Sequence, residues 1–114
     1  MPKFLVIVHA GTFLIDLQGE IEARGAFTGR VVKAASEGEA IGVAIKSVRR
    51  EVDNPNFIVR DESHVPTFEA FRVKQVSSLR RVRAVGLAMY DPADAETRSQ
   101  ALAAVRKAIG FRSD

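Results

Sequence analysis

Two histidines carry whatever acid–base or metal chemistry the chain can offer near neutral pH, because imidazole is the side chain that ordinarily titrates there. His9 closes the apolar run Phe4-Leu5-Val6-Ile7-Val8, and His64 follows Asp61-Glu62-Ser63, whose carboxylates can orient or charge it. A metal site wants three or four ligands at workable spacing. No H-x-H, H-x3-H or E-x-x-H pattern occurs, so neither a metal nor a cofactor is expected. With no cysteine, thiolate chemistry and disulfides are both excluded. Ser63 is the one serine beside a histidine, and neighbours on a regular strand point to opposite faces. No G-x-S-x-G, G-x-G-x-x-G or P-loop pattern is present either.

The other chemistry-bearing group is cationic. Arg72, Lys74, Arg80, Arg81 and Arg83 fall together if residues 65–90 form a hairpin, with the Arg80-Arg81 pair near its tip, where they could reach phosphates. Against this, no aromatic side chains for base stacking flank the tip, and edge strands are often charged simply to prevent aggregation. The net charge of +3 comes from 17 basic and 14 acidic side chains interspersed along the chain, which suits a solvated surface better than a polyanion site.

These residues need elements to position them. At 114 residues, 46% hydrophobic and 27% charged, the chain has the size and composition of a single globular domain, 1–114. Residues 3–9 read as a strand apolar on both faces, which residues 11–17 could extend after a bend or bulge at Gly11, and Gln18-Gly19-Glu20 as a polar turn. A second strand is expected over 26–35. Ser36 and Glu39 form an S-x-x-E capping box that opens a helix with the stripe Ile41, Ala44, Ile45, Val48 and Val52, ending near Asp53-Asn54-Pro55. Residues 57–60 suggest a short strand, and Pro66 starts or edges another. Arg83 to Tyr90 returns as a strand with Val85, Leu87 and Met89 on a bulky face and Ala84, Gly86 and Ala88 on a small one. Asp91-Pro92 is read as the cap of a last helix, buried through Ala101, Leu102, Val105, Ala108 and Ile109, with Gly110 ending it.

The order strand, strand, helix, strand, strand, helix is that of a ferredoxin-like sandwich whose last strand has moved to the front. The expected architecture is therefore α+β, a permuted ferredoxin-like sandwich with an antiparallel sheet and two helices on one face.

The segment Phe27-Thr28-x-Arg30-Val31-Val32-x-Ala34-x-Ser36, leading through the capped helix to Asn54-Pro55, resembles part of a small bacterial family of uncharacterised α+β proteins. The resemblance covers residues 27–55 and implies a bacterial source; it implies no activity.

With helices covering one sheet face, the apolar residues 4–8 would leave the other face in need of cover, and a homodimer joined through that face supplies it. The leading expectation is thus a small non-enzymatic binding or regulatory module, homodimeric, taking a protein partner or a small molecule. The alternative is a small enzyme with a dimer-interface pocket in which His9 or His64 acts as acid or base beside a carboxylate. Nucleic-acid binding through the basic hairpin ranks third. The short N-terminal apolar run is too brief for a signal-peptide core, and no run reaches the length of a membrane helix, so a cytoplasmic location without membrane contact is expected.

Overall fold

The computed structural model describes residues 1–53, 58–59, 65–77 and 82–110. Its first third is one long hairpin of β1 (Lys3–Leu17) and β2 (Glu20–Lys33). Gln18 and Gly19 turn the chain with φ of 55° and 92°, the left-handed pair that matches the twist of the flanking strands. The Asp16 carboxylate accepts from the Gly19 N–H at 2.8 Å and holds this turn. The strand expected over 26–35 thus begins earlier, at Glu20. It does so because β1 continues past a bulge between Ala10 and Phe13, giving residues 20–24 a partner. At that bulge the Gly11 N–H donates to the Thr67 carbonyl at 2.6 Å.

Helix α1 (Glu37–Val52) follows, capped as its sequence predicts: the Ser36 hydroxyl accepts from the Glu39 N–H. Next come β3 (Phe68–Val76), β4 (Val85–Tyr90) and α2 (Ala95–Ile109). Asp94, three residues later than expected, caps α2 by accepting from the N–H groups of Glu96 and Thr97. Asp91 instead shapes the preceding turn, accepting from the Ala93 N–H at 2.9 Å. Gly110 ends the helix in the left-handed conformation, φ 87°.

The sheet is antiparallel with the order β3-β1-β2-β4. This corrects two parts of the expected sandwich. First, β3 and β4 do not form a hairpin: they lie on opposite edges with β1 and β2 between them, and β3 pairs with β1. Secondly, the helices cover opposite faces. Phe4, Val6, Val8 and Ala10 join the core under α1 with Ala40, Ala44, Val48 and Val52. Leu5 and Ile7 join the core under α2 with Phe27, Val105 and Ile109. Strand alternation sends successive side chains of β1 to the two sides, which is why residues 4–8 are apolar throughout and fully or almost fully buried. The face that would have needed a dimer partner is covered by α2 of the same chain.

The alternation expected in β4 is broken by a register shift between Phe27 and Gly29 of β2. Val85 and Ala88 therefore both contribute to the α2 core, while Leu87 packs on the α1 core. Thr28, a fully buried polar side chain, donates to the Val85 carbonyl at 2.5 Å and accepts from Arg30, whose guanidinium pairs with Glu51 of α1 at 2.6 Å. This line ties β4, β2 and α1 together on the α1 face.

Candidate functional site

On the α2 face the sheet carries a row of polar and aromatic side chains. His9 lies on β1 opposite Phe27 of β2 and Glu69 of β3. Its Nδ1 lies 2.9 Å from Glu69 Oε1, and its Nε2 lies 2.5 Å from the Tyr90 hydroxyl. Tyr90 belongs to the far edge strand, so its ring must cross β2 to reach the imidazole. It crosses over Gly25, its register partner. A Cβ at Gly25 would fall inside the van der Waals envelope of the Tyr90 ring and hydroxyl, so the absence of a side chain there makes the crossing possible.

One set of proton positions satisfies both contacts with a neutral imidazole. An ionised carboxylate only accepts, so His9 Nδ1–H donates to Glu69; Nε2 is then free to accept the Tyr90 hydroxyl proton. Carboxylate, imidazole and phenol stand in line across all four strands. The His9 ring stacks on Phe27 at 4.7 Å and on Tyr90 at 5.9 Å between centroids. Phe71 closes on Phe27 edge-on at 5.5 Å. From α2, the Arg98 guanidinium lies over the rings of Phe27 and Tyr90, 5.3 and 5.9 Å from their centroids. Among the described residues no ion pair engages Arg98.

Exposure falls along the line. The Glu69 side chain is 69% exposed and that of His9 13%, while Tyr90 is 7% exposed. A nearly buried imidazole therefore links the phenol to a carboxylate in water.

Of the residues singled out from the sequence, the structure places His9 at the centre of this row beside a carboxylate. His64, Arg80 and Arg81 lie outside the described residues. Arg72 and Lys74 are exposed on β3, at the register positions of Ile7 and Leu5, whereas Arg83 precedes β4 at the other edge. Three strand spacings, about 14 Å, separate the two edges. Arg72 and Lys74 therefore do not share a hairpin with Arg83, as the sequence reading expected, but lie at the opposite edge of the sheet. No group of three or more metal-binding side chains converges among the described residues. A cavity of about 210 Å³ lined by Arg49, Asp53, Val65, Pro66 and Phe68 lies on the α1 side, away from His9. No described helix is long and apolar enough to cross a membrane.

No family model, curated protein or solved structure matches the chain. Any functional reading therefore rests on this geometry.

Glu69 and Tyr90 were not anticipated as partners of His9. They lie 60 and 81 residues away in the chain, so no local spacing reveals them. Once β2 is known to start at Glu20, Gly25 stands inside a strand, where a glycine marks a close approach of another group.

Proposed function

We propose that the chain is a small acid–base enzyme in which Tyr90 exchanges a proton with the substrate and His9 relays it. The observation that carries this reading is the alignment of Glu69, His9 and Tyr90, with hydrogen bonds at 2.9 and 2.5 Å. A reacting group hydrogen-bonded to a base, and that base held by a third group, is the arrangement that activates weak acids and nucleophiles. Here the phenol is the reacting group, His9 the base and Glu69 the group that fixes its tautomer.

The reaction class that suits these parts is removal and return of a proton next to a carbonyl. Tyr90 Oη takes the proton from the substrate carbon as its own proton moves to His9 Nε2. The imidazolium so formed is balanced by Glu69, and the enolate oxygen by Arg98, the cation over the phenol ring. The reverse steps return the proton.

The test is hydrogen–deuterium exchange at carbon, followed by proton NMR in D2O over a panel of 2-oxo acids, ketones and aldehydes. The expected result is protein-dependent loss of the signal beside the carbonyl for one class of compound, falling by about 10²–10⁴-fold in Tyr90→Phe and in His9→Gln. Exchange that persists unchanged in both variants would overturn the reading.

A second reading has its own support in the low exposure of His9 and Tyr90 and in the absence of any unpartnered buried side-chain polar atom among the described residues. In it the same row is a structural brace, and the chain is a non-enzymatic binding module. That reading gains if no compound exchanges while ligand-induced shifts appear elsewhere in the protein spectrum.

A further inference from the structure

We infer that two copies of the chain associate through antiparallel pairing of their β4 strands, forming a continuous eight-stranded sheet. The inference is independent of the chemistry proposed for His9.

The two edges of the sheet differ in kind. Both edge strands have a register shift against their neighbour, but β3 also carries Glu69, Arg72 and Lys74, charges that protect an edge from pairing. Strand β4, Val85-Gly86-Leu87-Ala88-Met89-Tyr90, has no charge and no proline, and among the described residues nothing pairs with its outer side. An uncharged strand meets its own antiparallel copy without like-charge repulsion, and a two-fold axis makes such an edge self-complementary.

Both faces flanking this edge fit a second copy. On the α1 side, α1 rests on β1, β2 and β3 and does not reach β4. It leaves Leu87 half-buried and Met89 45% exposed, to be met by the same residues of the copy. On the α2 side, α2 rests on β4 and β2 together. Pairing two β4 strands would set the two β2/β4 seams two strand spacings apart, about 9.6 Å. The two α2 helices above them would then lie within the 8–10 Å at which helices pack.

The outward flank of α2 has the small side chains that this separation needs. Leu102 packs into the core and Arg98 covers Phe27, so this flank of α2 points to the middle of the sheet. The opposite flank overhangs β4 and presents Ala104 and Ala108, both exposed.

Light scattering coupled to size exclusion, over a range of protein concentrations, tests the inference. The wild-type chain is expected to approach twice its 12.5 kDa mass as concentration rises. Ala104→Glu with Ala108→Glu places like charges across the axis, and Met89→Lys does so on the other side of the sheet. Each variant, with its fold checked by far-UV circular dichroism, is expected to run at the mass of one chain. A wild-type mass of one chain at every concentration overturns the inference, whether another protein's strand takes the edge or none does. A dimer that survives both substitutions overturns it as well.

Discussion

Gly25 and Tyr90 show how much rests on one missing methyl group. The Tyr90 ring crosses β2 only because Gly25 has no side chain, and the hydroxyl it delivers is the partner of His9 Nε2. Gly25→Ala is therefore expected to destabilise the chain by about 1–3 kcal/mol through overpacking and to swing the phenol away from the imidazole. Tyr90→Phe keeps the ring and removes the oxygen, leaving Nε2 without that partner at a cost of about 1 kcal/mol. Chemical denaturation measures both, and the His9 ring resonances report the lost contact. Equal stability of wild type and Gly25→Ala would mean that Tyr90 has another route across the sheet. Neither residue drew notice for chemistry in the sequence, because a lone glycine and a strand-end tyrosine acquire their roles only when β1, β2 and β4 are assembled.

At the scale of elements, local chemistry was readable and pairing was not. The Ser36 cap, the Gln18-Gly19 turn, the Gly11 bulge and the Gly110 stop each follow from side chains within a few residues of the feature they make. The start of α2 was misplaced because Asp91-Pro92 and Asp94 both offer a carboxylate ahead of the helix; Asp94, with its extended backbone, reaches two helical N–H groups, whereas Asp91 accepts from Ala93 in the turn before it. Asp94→Ala is accordingly expected to cost about 0.5–2 kcal/mol, and Asp91→Ala clearly less, since Asp91 accepts one turn N–H. A reversal of that order in thermal denaturation would return the cap to Asp91. The partner of β3 could not be read in the same way. Its pairings with β1 span 58 to 73 residues, and the alternation of Phe4 to Val8 says that both faces are covered without saying by what.

For the molecule as a whole, β1 belongs to both cores at once: its even-numbered residues from 4 to 10 lie under α1, and Leu5 and Ile7 under α2. Neither core can be lost while the other keeps its central strand, so the described structure is expected to unfold in one transition. Val48→Ala on the buried side of α1 and Val105→Ala on the buried side of α2 should each lower the denaturation midpoint reported by probes on both helices. Two separate midpoints would show that the faces are independent. The same sharing matters while the chain is being made. The hairpin of β1 and β2 emerges from the ribosome before the helices that cover it, closed by a two-residue turn and able to form within microseconds. Its cover arrives only with the 76 residues from Ala34 to Ile109, roughly 4–15 s later at ordinary rates of translation. Until α1 is complete the nascent ribbon is oily on both sides, and until α2 is made the side bearing Leu5, Ile7 and Phe27 stays open, the kind of surface that chaperones at an exit tunnel bind.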